Sequence, residues 1–118
     1  MMFDSHLKKK SNNLDAYSCL NLKNPQFIDW EIVTVFYAAL HLIDAYFAKN
    51  NIHPTDHTDR RHLINNNTNL DPIRNDYKYL YLLSKTARYD RAVMSQKEIQ
   101  SAITWLSNIE KAIQPLLL

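Results

Sequence analysis

The stretch Phe27-Ile28-Asp29-Trp30-Glu31-Ile32-Val33-Thr34-Val35-Phe36-Tyr37-Ala38-Ala39-Leu40-His41-Leu42-Ile43-Asp44-Ala45-Tyr46-Phe47-Ala48-Lys49-Asn50 decides the fold class. No proline or glycine interrupts it. Asp29 suits its cap or its first turn, where the helix dipole favours a carboxylate. At about 100° per residue, Ile32, Val35, Phe36, Ala39, Leu40, Ile43, Tyr46 and Phe47 fill one broad side. Only a narrow wedge of Glu31, Thr34, Ala38, Ala45 and Lys49 reads as exposed or small. A helix that is apolar nearly all round belongs in the middle of a bundle.

Four further helical segments flank it. The first spans about Ser5 to Leu22, with Leu7, Leu14, Tyr17 and Leu20 or Leu22 as an irregular apolar face; Asn24-Pro25 ends it, because the residue before proline avoids the α region. After the central helix comes the loop Asn51 to Asp56. Thr55 and Asp56 suit the start of a short helix, about His57 to Asn66. The next begins near Asp71-Pro72, with Asp as cap and Pro at the first helical position, and runs to about Asp90. The last begins after Ser95, where Ser95 and Glu98 match a capping box. Its stripe is Ile99, Ala102, Ile103, Leu106, Ile109 and Ile113, and Pro115 closes it. The leucine-rich tail that follows needs cover from the core or from a second subunit. The expected architecture is one all-α domain over residues 1–118, an up-and-down bundle of four or five helices.

Composition agrees. At 118 residues, 46% hydrophobic and 22% charged, the chain is the size and type of one globular domain. It has no glycine, which tight hairpin turns favour, so a sheet-rich fold is disfavoured. Asn12–Asn13, Asn50–Asn51 and Asn65–Asn66–Asn67 take the turn positions, since asparagine tolerates the left-handed region. A net charge of +2 is not the footprint of an obligate nucleic-acid binder, and Lys8–Lys9–Lys10 reads as a solvated helix face. The single cysteine, Cys19, excludes an internal disulfide and a cysteine-based zinc cluster, and fits a reducing compartment. No apolar run approaches the roughly 20 residues of a membrane span. The N-terminal stretch has no apolar run followed by a small-residue cleavage site, so the expectation is no signal peptide and a cytoplasmic protein without membrane contact.

The residues with chemistry to offer fall in two groups. On the central helix Trp30, Tyr37, His41 and Asp44 share a face; on the helix from Asp71, Tyr77, Tyr81, Ser84 and Arg88 do the same. Bundle interiors seldom hold His, Asp and Arg unless they pair or face a cleft. If the two helices are neighbours, Asp44 and His41 meet Arg88 and Ser84 in a tyrosine-lined pocket. One reading is a ligand or phosphate site, with Arg88 binding an anion, His41 relaying a proton and the tyrosines stacking a base. The other is a buried ion pair that fixes helix register. The second group is His53 to His62, three histidines, two acids and two arginines in ten residues, with His57 on one helix face with Arg60 or Arg61. It is not the His-Glu-x-x-His zinc pattern. It reads instead as a capped helix start, or as an anion site made by exposed amides and arginines. Cys19 has no nucleophile context, and no metal or other cofactor is expected.

The stretch Asp29 to His41, with its aromatic-Tyr-Ala-Ala-x-His ending, resembles the central helix of HEPN-domain proteins (higher eukaryotes and prokaryotes nucleotide-binding). Ile52-His53-Pro54, His57-Thr58-Asp59-Arg60, and Tyr77 with Leu83-Ser84-Lys85-Thr86-Ala87-Arg88-Tyr89 are similar to the family's later segments. The likeness spans Trp30 to Tyr89, about half the chain. It implies an up-and-down helical bundle, often a homodimer. The family includes metal-independent ribonucleases of toxin, defence and RNA-processing systems, binders of nucleotides or RNA, and non-catalytic scaffolds. Its ribonucleases carry Arg-x4–6-His. None of Arg60, Arg61, Arg74, Arg88 and Arg91 has histidine at that spacing, so no catalytic pair transfers. Tyr37, His41, His57, Arg60, Ser84, Arg88 and Tyr89 fall in the matching segments as candidate pocket residues, beside Asp44 and Tyr77 from the polar stripes. Three functions follow as expectations: a module binding a nucleotide, RNA or cognate protein partner; a divergent ribonuclease of a toxin–antitoxin or defence system; and a dimeric scaffold.

Overall fold

The structure is a computed structural model that describes residues 28–89 and 94–118. The helix expected at Ser5 to Leu22, Lys8–Lys10, Cys19 and Arg91 lie outside the described residues. So does the Tyr89 side chain. Helix accounts for 86% of the described residues and no strand occurs among them, so the fold they form is all-α. Four α-helices follow in order: α1 Ile28–Lys49, α2 His57–Asn65, α3 Arg74–Tyr89 and α4 Gln96–Ile113. Two 3-10 turns, Thr68–Ile73 and Gln114–Leu117, precede α3 and follow α4.

Helix α1 is the hub. It packs against both α3 and α4, which also pack against each other. Ile32, Val35, Phe36, Ala39 and Ile43 have no exposed surface, and the core continues through Leu80 of α3 and Ile109 of α4. Part of the expected wedge is not exposed: Glu31, Ala38 and Ala45 are fully buried. With neighbours on two sides, α1 keeps little free surface, and alanine is what lets packed helices approach closely. Neither Glu31 carboxylate oxygen has a hydrogen-bond partner among the described residues, and burial holds its pKa above the ordinary glutamate value. Contrary to the reading of its apolar runs, α1 is long and apolar enough to cross a membrane by length and composition. However, 78% of its most apolar window is buried within the fold, as in the core helix of a bundle.

The helix ends follow local chemistry. α1 closes in a Schellman arrangement: Ile52 N–H donates to Phe47 O at 2.8 Å and Asn51 N–H to Ala48 O at 3.0 Å. Asn51 takes the left-handed position, with φ 63°, in place of the usual glycine. At α2 the Asp56 carboxylate accepts from Asp59 N–H at 2.8 Å, and the Asp59 carboxylate accepts from Thr55 N–H at 3.0 Å. The expected helix start at Asp71-Pro72 is displaced. Asn67 caps a 3-10 turn by accepting from Asn69 N–H at 3.0 Å, Pro72 falls inside that turn, and the α-helix begins only at Arg74. α4 begins as expected, with the Glu98 carboxylate accepting from Ser95 N–H at 2.9 Å. The leucine tail is partly covered by the core, Leu116 and Leu117 packing on it while Leu118 is exposed.

Helix α2 sits differently from the others. Its backbone hardly approaches α1 or α3, and its closest helical neighbour is the Thr68–Ile73 turn. Ile64 is its apolar anchor, 1% exposed.

The loop geometry gives the first expected outcome. A β-branched side chain at φ 63° clashes with its own backbone. Asn51→Val should lower the unfolding free energy by about 1–2 kcal/mol in a urea titration, while Asn51→Gly should not lower it. Equal losses in both variants would show that the turn conformation does not matter.

Candidate functional site

Asp44 lies on α1, five residues before its end, on a helix that is mostly apolar. Its side chain and that of Arg60 on α2 are each 9% exposed. Arg60 Nε donates to Asp44 Oδ1 at 2.7 Å and Nη2 to Oδ2 at 2.8 Å, the paired fork that matches a planar carboxylate. Burial works against the Arg60 charge, but the Asp44 carboxylate more than offsets it, so the Arg60 pKa is raised. The expected meeting of Asp44 with Arg88 does not occur. Arg60 reaches Asp44 first, because α2 lies across that end of α1, and Arg88 sits more than a turn of α3 beyond Ser84. The pair answers to the register-fixing alternative, with a different arginine.

The third arm of the guanidinium leads into the site. Arg60 Nη1 is 3.4 Å from His57 Nδ1. An arginine N–H can only donate, so Nδ1 accepts and the imidazole proton belongs on Nε2. The ring stands among aromatic neighbours, with centroids 6.0 Å from Phe36 and 5.5 Å from Tyr81. Arg88 extends from α3 over Phe36, 5.9 Å from its centroid, and donates from Nη1 to the Tyr37 hydroxyl at 3.3 Å. Arg61 lies over Tyr81 at 5.4 Å. His57 is thus a neutral imidazole held by guanidinium groups and rings. Its pKa is lowered first by burial, then by the Arg60 and Arg88 charges, against the opposing pull of Asp44. His57, Tyr37, Tyr81 and Arg88 are all half-buried, so the cluster reaches solvent.

The remaining candidates divide. His41 is half-buried beside Tyr37, ring centroids 6.2 Å apart, at the cluster's edge. Tyr77 is 1% exposed; burial pushes its pKa up to about 12, with the Arg60 charge pulling the other way. Its hydroxyl lies beside the Arg60 guanidinium, which opposes the rise. Ser84 is fully buried, and its hydroxyl has no hydrogen-bond partner among the described residues. Trp30, at 63% exposure, stands apart. Phe36 is the residue that sequence reasoning assigned only to the core. It touches Tyr37, Tyr77, Tyr81, His57 and Arg88, and its position one residue before Tyr37 was the available signal.

Among the described residues no three His, Cys, Asp or Glu side chains gather as metal ligands. At the start of α2 the Asp56 carboxylate accepts from Asp59 N–H and the Asp59 carboxylate from Thr55 N–H, which makes it a capped helix start. Comparison with protein-family models, curated proteins and solved structures finds no match for this chain.

Two outcomes follow. Asp44→Ala leaves the Arg60 charge buried without its partner and should cost about 3–5 kcal/mol of stability, whereas Asp44→Leu with Arg60→Leu should cost far less. Chemical denaturation of the three proteins checks this, and equal losses would mean that the pair is not energetically coupled. Second, the folded state holds fewer protons at His57 than the unfolded chain does, because its pKa is depressed below the ordinary 6.5. This contribution to stability is complete above pH 6.5 and is lost as pH falls through the folded pKa. Melting temperatures measured downward from neutral pH should fall less steeply in His57→Gln than in wild type. Parallel curves would contradict the assignment.

Proposed function

We propose that this chain is a HEPN-like helical module that binds a nucleotide or a single-stranded RNA segment at the face formed by His57, Arg88, Tyr37 and Tyr81. The observation that carries this reading is the convergence of Arg88 and Arg61 on the rings around a neutral His57. Guanidinium groups suit phosphate oxygens, and aromatic rings stack on unpaired bases. The Nε2–H tautomer leaves His57 a donor for a phosphate or base acceptor. The low net charge of +2 fits a local groove rather than a broad electrostatic footprint.

The test is fluorescence anisotropy with labelled single-stranded RNA and nucleotide competitors. Arg88→Gln should weaken binding at least roughly tenfold and lower the salt dependence by about one phosphate contact, with the melting temperature retained. RNA that binds wild type and Arg88→Gln equally would refute the site.

One observation favours a second reading, a divergent metal-independent ribonuclease. Arg88 is able to stabilise a phosphorane, and His57 would accept a proton at Nδ1 once that nitrogen leaves its contact with Arg60. Cleavage of RNA in chelator, abolished in both His57→Ala and Arg88→Ala while both remain folded, separates this reading from simple binding.

A further inference from the structure

On the other side of Arg61 from the His57 cluster, a cleft of about 430 Å³ opens between α2 and the first turns of α3. Arg61, Arg74 and Lys78 line it, with His62 and the amide side chains of Asn65 and Asn75, and no carboxylate does. Three Lys or Arg among nine lining residues is a higher share than the 14 in 118 of the whole chain. A cleft lined by one sign of charge focuses its field and concentrates counter-ions. Like charges so placed also repel, and a multiply charged anion would relieve that repulsion.

We propose that this cleft is a phosphate-binding site separate from the His57 cluster. Arg74 is paired on one nitrogen with Asp71, which lies outside the cleft, while its Nε is buried without a partner. Tyr77 forms part of the wall, and its hydroxyl, protonated at neutral pH, is able to donate. Arginine forks, a lysine and amide N–H groups are donors that match the many acceptor oxygens of a phosphate, whereas a carboxylate would leave most of them unmatched. The volume falls within the range of small-molecule sites, roughly 300–1,000 Å³, so it has room for a phosphate with the group that bears it. That group belongs either to a free phosphoester or to a nucleic-acid strand, and the phosphate chemistry is common to both. Arg61 connects the two regions: it lines the cleft and also lies over Tyr81, which in turn packs on His57.

The experiment is amide chemical-shift titration of the full chain with pyrophosphate, with a nucleoside diphosphate and with a short single-stranded oligonucleotide. The expected result is saturable shifts over residues 58–65 and 74–78 with pyrophosphate, weakened at least fivefold in Lys78→Gln. Lys97→Gln, which alters a lysine lining a different groove, should leave them unchanged. Lys78 is exposed, so its variant should fold, and Arg74→Gln supplies an independent second loss. Oligonucleotide shifts in the cleft that pyrophosphate displaces identify a strand-borne phosphate. Shifts there with the diphosphate alone identify a free phosphoester. Non-saturating shifts, or equal affinity in wild type, Lys78→Gln and Arg74→Gln, would overturn the site. Arg88→Gln separates the two proposals: it should leave pyrophosphate binding intact even if the His57 face binds nothing.

Discussion

On α1, where Glu31 is buried with neither carboxylate oxygen partnered among the described residues, the other buried carboxylate, Asp44, has its charge and its lone pairs answered by one residue. The Arg60 fork answers both carboxylate oxygens, at 2.7 and 2.8 Å. Burial strips both ions of water, which makes the intact pair nearly neutral for stability but makes either ion alone expensive. The constraint is therefore geometric more than energetic. It admits one placement of α2 against α1, and it does so for a helix whose backbone barely touches its neighbours.

The site is a consequence of that placement. Arg60 uses two nitrogens on Asp44 and presents the third toward His57, which fixes the imidazole tautomer and brings the ring between Phe36 and Tyr81. From the opposite side α3 contributes Arg88 and Tyr81, and α1 contributes Tyr37. Three helices thus meet around one neutral base. Arg61, the residue after the anchor, points away from Asp44 and toward Tyr81, so the same helix serves the His57 cluster on one side and the basic cleft on the other.

Much of the all-α framework could be read from α1, where nearly every position is apolar, and from strong local signals such as the Ser95–Glu98 cap. Asn51 in the left-handed position shows why a chain without glycine could still turn. Local signals misled where two of them competed: Asp71-Pro72 looks like a helix start, but Asn67 caps a 3-10 turn first. In the wedge on α1, expected to be exposed or small, Ala38 and Ala45 are small and buried, and Glu31 is the residue that departs from the expectation. The polar stripes picked out Asp44, Tyr37 and Arg88, which lie in the buried pair and around His57. Their pairing was not legible, since Arg60 meets Asp44 across a loop, at a separation of 16 residues that has no helical period. Ser84 shared a stripe with Arg88, yet it is fully buried while Arg88 is half-buried.

The claim that Arg60 holds His57 as a neutral, Nε2-protonated imidazole is open to direct measurement. Long-range proton–nitrogen correlation spectra of the histidine ring, recorded across a pH titration, report both tautomer and pKa. The account requires the proton on Nε2 at neutral pH and a titration midpoint below 6.5. A proton on Nδ1, or a midpoint at or above 6.5, would mean that Arg60 does not hold the ring and that the site is not built as described.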